Sequence, residues 1–184
     1  MADLRCTIAG VKSPNPFWLA SAPPTDKEYN VVRAFQQGWG GVVWKTLGLD
    51  PPVVNVSSRY GAVHYRGQKI HGFNNIELIT DRPLDVNLQE ITGADGLELN
   101  FGCPHGMSER GMGSAVGQVP EYIEMVARWC KQHTRMPVFV KLTPNVTNIL
   151  APARAAVKGG ADAVSLINTI NSITAVDLDL MAPE

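Results

Sequence analysis

Three kinds of side chain in this sequence stand where chemistry is easiest to build. Cys103 lies in the run Asn100-Phe101-Gly102-Cys103-Pro104-His105-Gly106-Met107-Ser108-Glu109-Arg110-Gly111-Met112-Gly113, whose glycines at 102, 106, 111 and 113 give the backbone freedom to move. A lone cysteine is commonly a small buried residue. With His105 it would make only half of a metal site, because no further Cys or His stands nearby. The same pair could form a covalent nucleophile, although no Asn or Asp announces itself as the orienting third member. Lys45, after Val42-Val43-Trp44, and Lys141, between Val140 and Leu142, are ammonium groups among apolar neighbours. Burying such a charge is costly unless an anion meets it, so each lysine faces either a carboxylate, with Glu98 and Glu77 available, or a bound anionic group. Ser21, Thr46, Asn100, Asn168 and Thr169 form the third kind, neutral hydrogen-bonding groups that each follow or end a short apolar run.

The elements that must carry these residues can be read from a recurring pattern. Gly38-Trp39-Gly40-Gly41-Val42-Val43-Trp44, Gly93-Ala94-Asp95-Gly96-Leu97-Glu98-Leu99 and Gly160-Ala161-Asp162-Ala163-Val164-Ser165-Leu166 each combine a helix stop with a following strand. Helix-compatible segments precede two of them, Tyr29 to Gln37 and Ile149 to Lys158, and a third helix is expected over Pro120 to Gln132. Strands at Trp18 to Ser21 and Val138 to Leu142 complete the series, giving about five parallel strands joined by helical crossovers and suited to burial on both faces. Reactive groups arriving at the C-terminal ends of several strands favour a TIM (β/α)8-type barrel over an open doubly wound sheet. No G-x-G-x-x-G follows the first strand, which further weakens the open sheet.

Composition narrows the class of partner. The 184 residues are 45% hydrophobic and 18% charged, which suits one domain spanning residues 1–184, and the net charge of -1 offers no broad attraction for nucleic acid or an anionic membrane. A small, mostly uncharged ligand fits better. No apolar run reaches 18 residues, no leader pattern opens the chain, and the three cysteines contain no Cys-x-x-Cys pair. These features point to the cytoplasm and speak against a disulfide framework, a metal site or an iron–sulfur cluster in this segment.

From Asn100 to Gly113 the chain resembles the catalytic loop of dihydropyrimidine dehydrogenases of the NAD-dependent type, within the wider dihydroorotate dehydrogenase-like group of FMN barrels. The resemblance continues at Asn15-Pro16-Phe17, Ala20-Ser21-Ala22, Gly38-Trp39-Gly40, Lys45-Thr46, Gly72-Phe73-Asn74-Asn75-Ile76-Glu77, Lys141-Leu142-Thr143-Pro144-Asn145-Val146 and Asn168-Thr169, in the family's order. It implies FMN held at the barrel mouth by Ser21, Lys45, Thr46 and Lys141. It implies a pyrimidine bound by Asn75, Asn100, Phe101, Gly102, Asn168 and Thr169, with the flavin hydride going to C6 of uracil or thymine and Cys103 protonating C5. A thiol with a reference pKa of about 8.5 is mostly protonated near neutrality yet can release its proton. Side-chain amides, each with a donor face and an acceptor face, match the alternating C=O and N–H edge of a neutral pyrimidine. A carboxylated ring such as orotate would call for an added cation or several backbone N–H groups.

Departures from the family pattern set further expectations. Gly102 stands where a serine commonly precedes the catalytic cysteine. Near Gln89-Glu90-Ile91-Thr92-Gly93 a helix runs straight into the end signal of another, so one βα unit of about 30 residues is expected to be missing. The chain stops at Glu184, before the family's last two strands and their phosphate-binding amides. The expectation is therefore a partial FMN-binding barrel, oligomeric or completed by a partner, binding FMN weakly alone. NAD(P)H and iron–sulfur clusters would lie on an electron-delivering subunit or domain. A dihydroorotate dehydrogenase-like enzyme and a non-catalytic incomplete barrel remain alternatives.

Overall fold

The computed structural model of the chain describes residues 2–49, 60–63, 72–75, 78–91, 93–103, 111–173 and 176–183; for residues 60, 63, 72–75, 182 and 183 the backbone alone is considered. The chain opens with an antiparallel hairpin, β1 (Cys6–Ile8) and β2 (Val11–Ser13). Its two-residue turn puts both Ala9 and Gly10 at positive φ, the geometry that matches the twist of paired strands. Ser13 then anchors the hairpin: its hydroxyl donates to Gly40 O at 2.9 Å and accepts from Trp18 Nε1 at 2.9 Å.

β3 (Trp18–Leu19) is followed by a 3-10 turn at Pro23–Thr25, α1 (Glu28–Gln36) and β4 (Gly41–Val42), which pairs with β3 in parallel. Glu28 complements the helix dipole at the start of α1, and Gly38 at φ +89 ends the turn after it. An antiparallel hairpin, β5 (Tyr60–Val63) and β6 (Gly72–Asn75), and the short α2 (Leu84–Glu90) follow.

The second half is a three-stranded parallel sheet in the order β7 (Leu97–Asn100), β8 (Val138–Lys141), β9 (Ala163–Ser165). The turn α3 (Ser114–Gly117), α4 (Pro120–His133) and α5 (Leu150–Lys158) connect these strands, and a small hairpin, β10 (Val176–Asp177) with β11 (Ala182–Pro183), comes after them. α4 starts on a proline, whose missing N–H costs nothing at a first helical position, and carries Glu121 in its first turn and Lys131 and His133 in its last. Its residues Ile123 and Ala127, one turn apart, are fully buried. Gly159, after α5, lets the two helices close up: a Cβ there would stand 2.6 Å from Glu124 O and 2.8 Å from Ala127 Cβ.

The side-chain period of two divides this sheet cleanly. Val138, Val140, Leu99 and Val164 belong to one face; Val140, Leu99 and Val164 pack with Ile123, Ala127, Ala155 and Ala156 of the helices, and a fully buried side chain such as Val140 or Ile123 contributes about 1.5–3 kcal/mol. The register pairs Glu98 with Phe139, Asn100 with Lys141, and Lys141 with Ser165, so the polar residues share the opposite face. The sheet is thus helix-covered and apolar on one side, and on the other carries Glu98, Asn100, Lys141 and Ser165 together with Phe139 and Ala163.

All five parallel strands expected from the sequence form, with α1, α4 and α5 ending within about a residue of the expected bounds. They form two sheets, however, β3–β4 and β7–β8–β9, with no backbone ladder between β4 and β7. The architecture is an incomplete α/β barrel, interrupted at the place where the sequence runs one helix into another's end signal. Among the described residues no helix is long and apolar enough to cross a membrane.

Candidate active site

The C-terminal ends of the parallel strands carry one continuous hydrogen-bonded chain. Ser21, two residues past β3, has its hydroxyl 3.2 Å from that of Thr46, four residues past β4. Thr46 Oγ1 in turn accepts from Asn100 Nδ2, at the end of β7, at 2.9 Å. Asn100 Oδ1 accepts twice, from Gly102 N at 3.1 Å and from Asn168 Nδ2 at 2.9 Å. Asn168 Oδ1 accepts from Thr169 N at 2.7 Å, and Thr169 O accepts from Asn145 Nδ2 at 2.9 Å. Asn145 closes the series by donating from the same amide to Thr143 Oγ1 at 3.2 Å.

Of the sequence-predicted residues, Ser21, Thr46, Asn100, Gly102, Asn168 and Thr169 are therefore brought together. Cys103 is buried, and its carbonyl accepts from Ser114 N at 3.1 Å, which fixes the strand exit against the start of α3. Phe101 lies in the hydrophobic core beside Val140 and Leu142, so its ring supports the loop from behind. Asn75 ends β6, where its backbone registers with Tyr60. Its side chain lies outside the described residues, as do His64, His71, Glu77 and the stretch 104–110 that includes His105.

The two lysines meet different surroundings. Lys45 is 4% exposed, and its N–H donates to Thr25 O at 3.1 Å, which ties the end of β4 to the 3-10 turn. Lys141 Nζ stands 3.9 Å from Glu98 Oε1, so the carboxylate anticipated as one possible partner is the one beside it. Glu98 is held by its other oxygen, which accepts from Ser165 Oγ at 2.8 Å. The three residues lie on one face of three adjacent strands: Lys141 registers with Ser165 and with Asn100, and Glu98 stands two positions before Asn100 on the same side of its strand. At 3.9 Å the two groups form an ion pair without a direct hydrogen bond.

Several participants were not singled out from sequence. Thr143 and Asn145 follow β8, and the signal that could have found them is the same as for Asn168: neutral polar residues just past an apolar strand. A second polar cluster supports Lys45-Thr46 from below. Thr80, fully buried, donates through its N–H to Thr46 O at 2.9 Å and through its hydroxyl to Asp26 Oδ1 at 2.8 Å. Trp44 Nε1 donates to the fully buried Asn87 at 3.0 Å, and Arg82 pairs with Glu90 and Asp26 O. The Arg82 guanidinium, followed by the Glu28 N–H, holds the Glu90 carboxyl below its ordinary pKa.

Comparison with known proteins bears on what this rim does. The sequence profile of the dihydroorotate dehydrogenase family matches residues 85–183. The chain is 37% identical over 222 residues to the chloroplastic dihydropyrimidine dehydrogenase (NADP(+)) of Arabidopsis thaliana, covering 99% of the chain and 52% of that relative. It is 36% identical over 211 residues to the NAD-dependent dihydropyrimidine dehydrogenase subunit PreA of Escherichia coli K12, covering 96% of the chain and 51% of the relative. The catalytic subunit of dihydroorotate dehydrogenase B (NAD(+)) from Thermoplasma volcanium is 34% identical over 208 residues, covering 100% of the chain and 67% of the relative. The chain thus spans about half the length of the first two. All three alignments exceed the chain's own 184 residues, the shortest being 208, so each relative carries at least 24 positions inside the matched span that have no counterpart here. That excess agrees with a missing internal βα unit.

Proposed function

This chain belongs to the dihydroorotate dehydrogenase family of flavin oxidoreductases, and we propose that it is a catalytic portion of a dihydropyrimidine dehydrogenase that reduces the C5–C6 double bond of uracil or thymine. The observation that carries the proposal is the hydrogen-bonded rim from Ser21 through Thr46 and Asn100 to Asn168 and Thr169, which gathers neutral donors and acceptors from separate strand ends.

The donor set suits FMN. Paired hydroxyls at Ser21 and Thr46 and the ammonium of Lys141, stationed beyond hydrogen-bond reach of Glu98, offer hydrogen bonds and positive charge to an electron-rich ring. Lys45, buried next to Thr46, is the fourth residue assigned to the cofactor. FMN, when bound, supplies the hydride.

The remaining work falls to the chain's own groups. Asn75, Asn100, Asn168 and Thr169 orient the pyrimidine through amide and hydroxyl hydrogen bonds, while Phe101 and Gly102 shape the backbone beneath it. Cys103 releases its thiol proton to C5 of the ring. Its burial keeps bulk water from competing as the acid. A neutral clamp favours a neutral ring, and the two relatives named dihydropyrimidine dehydrogenases are more similar to the chain than the Thermoplasma dihydroorotate dehydrogenase is.

Two of the relatives are named as subunits of NAD-linked enzymes, which supports a partner subunit; in this reading it delivers electrons from NAD(P)H and carries the iron–sulfur clusters. Three cysteines without a Cys-x-x-Cys pair suit a reducing compartment, which supports a cytoplasmic location. The unladdered junction between β4 and β7 favours weak FMN binding by the isolated chain, with tighter binding in an assembly.

Visible absorption of the purified chain titrated with FMN, and then with uracil, thymine or orotate, tests the proposal. The expected result is weak flavin uptake and a perturbation of the flavin bands by uracil or thymine. A response to orotate alone would replace the substrate with dihydroorotate. No response to any of the three would make the chain a non-catalytic barrel remnant.

A further inference from the structure

Gly102 occupies a position where even a single carbon has no room. A Cβ added there would run into the Cβ of Asn168 and lie 2.8 Å from both its Cγ and its Nδ2. Real non-bonded carbons do not approach so closely, so one of the two residues would have to move.

Neither has slack. Phe101 N donates to Lys141 O at 3.1 Å and Asn168 N donates to Leu142 O at 3.0 Å, so both backbones are tied to the end of the same strand, β8. Behind the loop, a Cβ on Gly117 would meet Phe101 O, and one on Gly113 would stand 2.6 Å from Cys103 O. The segment 101–103 is thus pressed between α3 and residue 168. Asn100 Oδ1 marks the point of convergence, accepting at once from Gly102 N at 3.1 Å and Asn168 Nδ2 at 2.9 Å.

We propose that Gly102 is a positioning residue acting through Asn168: the absence of a side chain at 102 is what lets the Asn168 amide seat on Asn100, and so sets the spacing of the amide pair. The effect on substrate rests on the function proposed above; the positioning itself does not. A side chain at 102 displaces Asn168, frees its amide and weakens pyrimidine binding while leaving the Cys103 thiol in place.

The test uses Gly102→Ala in the full chain, alone and combined with either Asn168→Gly or Asn168→Ala. Because the collision is with the Cβ of residue 168, Asn168→Gly relieves it and Asn168→Ala does not. In Gly102→Ala the side-chain amide of Asn168, followed by 15N NMR, is expected to exchange with solvent about fivefold to tenfold faster, the size of one lost hydrogen bond. The urea midpoint of Gly102→Ala is expected to fall, and Gly102→Ala/Asn168→Gly is expected to match Asn168→Gly alone. An Asn168 amide unchanged by Gly102→Ala would overturn the proposal, as would an equal loss of stability in the Asn168→Gly background. If Gly102→Ala fails to fold, recovery of folding with Asn168→Gly but not with Asn168→Ala supports the proposal, and failure with both refutes it. Should the amide and stability results hold while uracil perturbs neither the flavin spectrum nor the Asn168 resonance, the positioning stands and the assigned substrate falls.

Discussion

Cys103 owes its place to what surrounds it more than to what it is. It leaves β7 directly after the Asn100 amide and the Gly102 contact, and its carbonyl is pinned by Ser114 N. Under the proposed function Cys103 is the proton donor, a role that contributes typically 10²–10⁴-fold, and that proposal predicts that Cys103→Ala lowers uracil reduction by about that factor with uracil binding retained. A titration of flavin absorbance with uracil, alongside turnover, separates the two quantities, and equal losses in both would deny the cysteine a chemical role. That Asn100 and Asn168 would come to the strand ends was legible in the sequence because each follows an apolar run, whereas Cys103 was marked by the resemblance of its loop. The choice of partner was not: Lys141 had two carboxylates to choose from, and it is the pairing of β7 with β8 that brings Glu98, diagonal to Lys141 on the same face, within 3.9 Å. Thr143 and Asn145 lay within a motif that the resemblance covers but were given no role of their own, because a threonine and an asparagine flanking a proline read equally well as a turn.

At the scale of elements, α4 and α5 hold the second sheet through contacts that small residues permit. Gly159→Ala is expected to destabilise the chain by about 1–3 kcal/mol, since its Cβ would strike the Glu124 carbonyl and Ala127; urea unfolding measures it. Asp162 couples the same region to pH. The Lys131 ammonium, at 2.7 Å, and the Val138 N–H, at 2.7 Å, hold its carboxyl below the ordinary carboxylate range. A depressed pKa means the folded chain binds this proton less readily than the unfolded one. The stabilisation is therefore complete above the unfolded value near 3.8 and disappears as the pH falls further through the folded value. Asp162→Asn is expected to cost about 1 kcal/mol at neutral pH, discounted for partial exposure, and progressively less as the pH falls below 3.8; urea midpoints at pH 7 and pH 3 compare them. The helix stops at Gly38 and Gly160 could be read in advance because both backbones sit at φ near +90, where glycine alone is at ease. The hairpins could not, since β1 and β2 are three residues each and the short β10 and β11 two. Strands so brief carry too little alternation to register as a period.

At the scale of the molecule, β8 is laddered on both sides whereas, among the described residues, β4 pairs only with β3. Backbone amides of Val138–Lys141 are expected to exchange with deuterium only through global unfolding, and those of Gly41–Val42 at least about tenfold faster through local opening. Equal protection would mean that the two sheets unfold as one unit. The five parallel strands were readable because each is a local apolar run, but their division into two sheets is a property of long-range pairing that no local pattern encodes. What spans the division at the rim is the 2.9 Å bond from Asn100 to Thr46, side chain to side chain. A backbone ladder is indifferent to which residues form it, so it survives substitution; a join between two side chains does not. The seam of this barrel is therefore written in residue identity, and one nucleotide change at Thr46 or Asn100 can loosen or restyle the site without disturbing either sheet.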